Sequence, residues 1–210
     1  MTDLFTFGLV SFSAIFFVVD PLAVLPVFLA ITARETPAQK RATALRASVT
    51  LFITLSVFAA AGGLIFRMFG ISLGAFKIAG GVLLFLLAID MMQARPSRTK
   101  TSPEEEAEGI EKEDVAIIPL GIPLLSGPGA IATVMVLMAR YGAGLQAAVP
   151  VISAILITMV VTYLCLASAQ RVKRVLRDTG IAVLERIFGL ILAAIAVQFV
   201  FDGGRELLQG

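Results

Sequence analysis

Asp20 is followed at once by Pro21 and then by Pro26, inside the apolar run FFVVDPLAVLPVFLAI (16-31). A second group, Ser126, Gly127, Pro128 and Gly129 with Thr133, interrupts another apolar run. Proline within a helix removes one donor and clashes with the carbonyl four residues back, at about 3 kcal/mol or more. The carbonyls of Phe17, Leu22 and Leu124 are the ones expected to lose their partners. Asp20-Pro21 reads as a helix start, with aspartate at the N-cap and proline at the first helical position, and Gly127-Pro128 reads the same way. At Gly127 there is no carboxylate, so the amides of residues 129-131 would face a site as an anion seat, with Ser126 and Thr133 adding hydroxyls. Asp20 and the freed carbonyls would form the opposite, electronegative corner, suited to an ammonium group, a proton or a sodium ion. A small zwitterion matches both corners, which makes Asp20, Pro21, Pro26, Ser126, Gly127, Pro128, Gly129 and Thr133 the candidate substrate-binding residues.

The surroundings of these residues are hydrocarbon-like. Of the 210 residues, 58% are hydrophobic and only 15% charged, and the mean hydropathy is +0.95, values outside the range of a soluble domain. A bilayer core of roughly 30 Å takes about 20 apolar helical residues, and the sequence supplies six such segments, at 4-32, 47-66, 68-92, 115-139, 149-169 and 181-201. The polar stretch RPSRTKTSPEEEAEGIEKED (95-114) is too charged to fold alone. The first lysine or arginine is Arg34, so the N-terminus lacks the basic start of a signal peptide and the first span is expected to be retained.

Thirteen of the 17 basic residues fall in loops one, three and five, among them Arg34, Lys40, Arg41, Arg95, Lys112, Arg171 and Lys173. Positive loops stay on the cytoplasmic side, so both termini are expected outside. Topology accounts for these cations, and the net charge of +2 gives no reason to expect a nucleic-acid partner.

Laid on itself at an offset of 107 to 108 residues, the chain repeats. DPLAVLPVFLAIT from Asp20 falls on GPGAIATVMVLMA from Gly127, and FKIAGGVLLFLLAID from Phe76 falls on LERIFGLILAAIAVQ from Leu184. Three spans per half force the halves into opposite orientations. The expected fold is an all-α integral membrane protein of six transmembrane helices, a 3+3 inverted-topology repeat with discontinuous helices 1 and 4. Residues 1-93 form the first three-helix repeat, 94-114 a cytoplasmic polar linker and 115-210 the second repeat.

DPLAVLPVFLAIT, IPLLSGPGAIATV, FKIAGGVLLFLLAIDMM and LERIFGLILAAIAVQFVFDG together resemble the MarC family of bacterial inner-membrane proteins. The resemblance implies a relative of the LysE-type exporters, with some members described as neutral amino-acid transporters. Family members often read Asp-Pro-x-Gly-Asn-x-Pro at the first motif, where Ala23 and Val24 stand here in the Gly and Asn places. Any polar contact of that asparagine is therefore absent.

Other residues have plainer readings. Asp20 is either a ligand or only a helix cap. Asp90, close to the cytoplasmic end of the third span, reads as interfacial in preference to part of a pathway. Lys77 and Glu185, aligned across the repeat, are two separate interfacial charges, and Gly80, Gly81 and Gly189 permit close helix packing. Thr50, Thr54, Ser56, Thr158 and Thr162 either line a pathway or bond their own backbone. With no histidine and one cysteine, Cys165, the chain lacks the parts for His-based acid-base work, a serine triad or a thiolate metal site, and no phosphate loop is present. No enzymatic activity and no cofactor are expected. The reading is a secondary transporter of small neutral solutes, most directly an exporter of neutral amino acids coupled to H+ or Na+, embedded in the lipid bilayer. Its rival is a non-transporting scaffold or regulatory protein.

Overall fold

The computed structural model describes residues 4–93, 116–140 and 145–209, so the expected linker 94-114 lies outside the described residues. Among these residues every regular element is helical. The chain runs through α1 (Leu4–Val19), the short α2 (Leu25–Ile31), α3 (Pro37–Phe69) and α4 (Leu73–Met92). It continues through an irregular arm (Ala116–Leu125) and then α5 (Pro128–Arg140), α6 (Leu145–Ala167) and α7 (Ala169–Gln209).

Local chemistry sets these boundaries. Thr36 and Gln39 form a capping box at the start of α3, with Pro37 in its first turn, and Gly70 ends it in the left-handed region at φ 63. The Ser72 hydroxyl accepts from the Ala75 amide to start α4. The arm carries the repeated pair Ile-Pro, and a residue before proline is pushed out of the helical region. Ile118 and Ile122 are accordingly extended. The arm meets α5 at a bend of 60°.

Four helices are each long and apolar enough to cross a bilayer, and the bent pair of arm and α5 makes a fifth. The remaining apolar helix, α1, has 16 residues. Two expected boundaries shift. The second span was placed at 47-66, but α3 begins at Pro37, because Ala, Gln, Lys and Arg are good helix formers that an apolar pattern does not register. The connection expected between 169 and 181 is also helical, broken only at Arg177, whose φ is 55. Ala169, Val172, Leu176 and Ile181 pack on the core there, while Arg171 and Arg174 stay exposed, which is an amphipathic pattern.

Among the described residues the most extensive helix contact is between α4 and α7. A β-carbon added at Gly81 would fall 2.8 Å from the Ala196 carbonyl oxygen, and one added at Gly189 would fall 3.0 Å from that of Ala88. Each pair is the other displaced by 108 residues with the partners exchanged. Gly74 and Gly203 make a similar contact, the added carbons lying 2.9 and 2.6 Å from the opposing carbonyls. As the residue number rises on α4 its partner's falls on α7, so the helices are antiparallel. Lys77 Nζ meets Glu206 Oε2 at 2.6 Å between the same helices. Lys77 is thus half of an interhelical ion pair whose acid, Glu206, the sequence pattern did not single out. Elsewhere α1 packs on α6, and the arm and α5 pack on α3.

Gly81→Ala and Gly189→Ala are expected to destabilise the protein by about 1 to 3 kcal/mol, the range for overpacking. Gly63→Ala and Gly204→Ala, which meet nothing within 4 Å, are expected to be neutral or stabilising by about 0.5 to 1 kcal/mol. Thermal unfolding of the four purified variants in one detergent checks the contrast.

Candidate functional site

Asp20 closes α1. Its amide donates to the Phe16 carbonyl at 3.0 Å, and its φ of 46 turns the chain out of the helix. The left-handed region is tolerated best by glycine and then by Asn and Asp, whose short polar side chains bond locally. The bond here comes from the Ala23 amide, which donates to Asp20 Oδ1 at 3.4 Å. The residue is fully buried. Pro21 has no amide to return to Phe17, so that carbonyl loses its helical donor as expected.

The helix after the break begins later than expected. Residues 21-24 form turns, and α2 starts at Leu25 with Val24 at its N-cap and no side-chain cap. Asp20 therefore caps the turn, not α2 itself. The Leu22 carbonyl, expected to be freed by Pro26, is recovered by the Leu25 amide at 3.1 Å. Pro26 is exposed, whereas Pro21 is buried.

At the second break Gly127 is the residue from which helical bonding resumes. The Ile131 amide donates to its carbonyl at 3.1 Å, and Pro128 takes the first position of α5. One of the three amides expected to face an anion is therefore used within the helix. Thr133 Oγ1 donates to the Gly129 carbonyl at 2.8 Å. A cavity of about 40 Å³ lies against Gly127, Pro128 and Gly129, closed by Val18, Leu83 and Leu87. That volume suits about one water, a molecule occupying about 30 Å³ in the liquid, and its side chains are apolar. The two breaks are neighbours: a β-carbon on Gly129 would lie 3.5 Å from Val18 Cγ1, two residues before Asp20. Pro26 and Pro128 are exposed, while Asp20, Pro21, Ser126, Gly127 and Thr133 are buried.

The Thr43 hydroxyl on α3 donates to the Glu35 carboxylate, and two further groups of hydroxyls stand out. Thr32, Ser48, Thr133 and Ser168 donate to their own helix carbonyls four residues back. Ser11, Ser56, Ser126, Thr158 and Thr162 have buried hydroxyl oxygens with no hydrogen-bond partner. Ser11 on α1 with Thr158 and Thr162 on α6 belong to the packed pair that ends at Asp20. Ser56 on α3 and Ser126 belong to the packed pair that ends at Gly127. Each orphaned group costs about 1 to 3 kcal/mol, so their concentration on the two elements that end at the breaks and the two helices packed against them marks this region as a site. Sequence reasoning did not select Ser11. One signal was present, since Thr158 and Thr162 stand 108 residues after Thr50 and Thr54.

A larger cavity of about 470 Å³ opens at the basic end of the molecule. Phe28 and Leu29 of α2 and Leu166 of α6 form its apolar floor, and Glu35, Lys40, Arg41 and Arg171 surround it. Its size falls within the range of about 300 to 1,000 Å³ for small-molecule sites. Phe28 and Leu29 belong to the helix that follows the Asp20 break, so the floor lies on the same broken segment. Among the described residues no three His, Cys, Asp or Glu side chains gather as metal ligands.

Long apolar helices, a helical span broken at proline and lipid-facing Leu, Ile, Val and Phe side chains define a multi-pass integral membrane protein. The chain belongs to the MarC family of integral membrane proteins, whose family model matches residues 5–208. It is 37% identical over 199 residues to a UPF0056 membrane protein of Aquifex aeolicus, covering 95% of this chain and 92% of the relative. It is 32% identical over 203 residues to the UPF0056 membrane protein YhcE of Escherichia coli, covering 95% and 92%. With YvbG of Bacillus subtilis the identity is 36% over 202 residues, covering 95% of each. No solved structure matches the chain.

Asn tolerates a positive φ and accepts the same amide hydrogen bond, so Asp20→Asn is expected to fold as the parent does. Asp20→Ala is expected to lose about 1 to 2 kcal/mol, because alanine is strained in the left-handed region and accepts nothing from Ala23. Unfolding midpoints of the two variants, measured side by side, test the backbone role of Asp20 separately from its charge.

Proposed function

We propose that the protein is a secondary transporter of small neutral solutes, most directly neutral amino acids, which it exports from a bacterial cell by coupling to a proton or sodium gradient. In this reading α1 and α2 together make the first of six spans, the two halves form a 3+3 inverted repeat in the inner membrane, and both termini face outward. The exchanged glycine contacts of α4 and α7 support the repeat, since antiparallel third helices touching at equivalent residues are what a two-fold axis in the membrane plane produces. So does the pairing of α1 with α6 and of the arm and α5 with α3, each the counterpart of the other at the repeat offset.

The observation that carries the proposal is the set of partnerless buried hydroxyls on the two broken elements and the helices packed against them. Non-helical backbone at membrane depth is tolerated where it is buried in protein or lines a cavity. Unsatisfied hydroxyls on the same elements call for a polar ligand that comes and goes. A neutral amino acid supplies both charges in a small body. Its ammonium suits the Asp20 corner, and its carboxylate suits Ser126 and the remaining amides at the start of α5. The cavity of about 470 Å³, whose floor lies on the segment broken at Asp20, is the approach from the proposed cytoplasmic side.

Proteoliposomes containing only this protein are expected to show gradient-driven flux of alanine, glycine, serine or threonine. Asp20→Asn should abolish or uncouple it while expressing normally, and cells without the protein should be more sensitive to alanine-containing dipeptides. Absence of flux, together with equal dipeptide tolerance, would favour a scaffold. Unaltered coupled flux in Asp20→Asn would remove the carboxylate from the mechanism.

A further inference from the structure

We propose that the seam between α1 and α6 holds a site for a monovalent cation, sodium, formed by the Asp20 carboxylate, the Thr162 hydroxyl and the carbonyls of the last turn of α1, with Ser11 and Thr158 on its approach. It deepens the transport reading by assigning the coupling ion, and its role in transport rests on that reading.

The placement follows from helix geometry. Thr158, Thr162 and Cys165 are spaced by four and three residues, so they share one face of α6, the helix on which α1 packs, and α2, which follows the Asp20 break, lines one cavity with Leu166 and Ala167 at the end of α6. With a rise of about 1.5 Å per residue, Thr162 stands about 4.5 Å along the axis from Cys165. Asp20 follows the end of α1 at Val19 and Cys165 lies near the end of α6 at Ala167. The packed helices therefore run in the same direction. That brings Ser11, farther back on α1, toward the level of Thr158. Ser11, Thr158 and Thr162 are each 0% exposed, and their hydroxyls have no partner. Of the other buried hydroxyls, those of Thr32, Ser48 and Thr133 bond their own backbone, Thr43 bonds the Glu35 carboxylate, and the orphaned Ser56 and Ser126 belong to the second break.

The chemistry narrows the ligand. The described donors are hard oxygens, and one carboxylate supplies one negative charge. Calcium is normally held by six to eight oxygens from several carboxylates and carbonyls, whereas transition metals prefer nitrogen and sulfur ligands that do not cluster here. The C-terminal end of α1 adds the negative pole of its dipole, and Pro21 leaves the Phe17 carbonyl without its helical donor. A proton would use the carboxylate alone and leave the hydroxyls unexplained.

The test is thermal unfolding of the purified full-length protein at fixed ionic strength, with sodium chloride replaced stepwise by potassium or choline chloride. A ligand of the folded state raises the midpoint in a saturable way, and the expected result is such a rise with sodium that choline does not reproduce. Thr162→Val keeps the shape and removes the oxygen. It should fold at least as well as the parent and raise the half-saturating sodium concentration about ten- to a hundredfold. Asp20→Asn should remove the sodium response, and Ser48→Ala, at a buried hydroxyl already bonded to its own helix, should leave it unchanged. Equal midpoints in sodium and choline, a response that potassium reproduces in full, or unchanged half-saturation in Thr162→Val would each overturn the site. In parallel flux assays, proton-driven transport indifferent to sodium would overturn the sodium site and spare the transport reading. Sodium-specific stabilisation without flux of any solute would sustain the site and sink the transport reading.

Discussion

Within a bilayer every backbone donor and acceptor has to find its partner inside the protein, because hydrocarbon offers none. Proline disturbs that requirement at fixed places. Pro21 takes a donor from Phe17, and Pro128 takes one from Leu124. The chain answers with compact local bonds: Leu25 to Leu22, Ala23 to the Asp20 side chain, Ser126 to Gly121 and Ile131 to Gly127. Those bonds keep the breaks small and bury them where α1 meets α5. What local bonding leaves unsatisfied is a set of side-chain hydroxyls, and this residue of polarity is what the proposed solute and cation would use.

The breaks are held in register by contacts that contain no polar chemistry. Gly81 against Ala196 and Gly189 against Ala88 let α4 and α7 approach until backbone touches backbone. Leu84 of α4 then reaches the Gly129 turn, where an added β-carbon would lie 3.2 Å from its Cδ2. On the other side Phe188 of α7 meets Phe16 and Phe17 at the end of α1, with ring centroids 5.8 and 4.9 Å apart. One helix pair therefore supports both breaks, and the Lys77–Glu206 ion pair fastens it toward the start of α4.

Much of this was legible in the sequence. Apolar length located the four long helices and the bent pair of arm and α5, while the segment expected as one span at 4-32 divides into α1 and α2. The proline pairs located the breaks, because proline acts through its own covalent geometry and needs no partner to be read. The repeat offset found Gly81 and Gly189 as packing residues. Less legible were features that depend on a distant neighbour. Glu206 as the partner of Lys77 and the orphaned hydroxyl of Ser11 both arise from helix rotation about its axis, which a nearly uniform apolar pattern does not encode. The start of α2 at Leu25 was missed for another reason. Aspartate followed by proline suits an N-cap equally well whether a helix or only a turn comes next.

A single cysteine at position 126 reports on the proposed solute site most directly. In a Cys165→Ser background that still transports, Ser126→Cys should react with a small membrane-impermeant thiol reagent applied from the proposed cytoplasmic side. Alanine should slow that reaction in a saturable way, and Asp20→Asn should remove the protection. If the cysteine in an actively transporting protein reacts at the same rate with and without every neutral amino acid that it carries, the solute does not sit between the two broken helices.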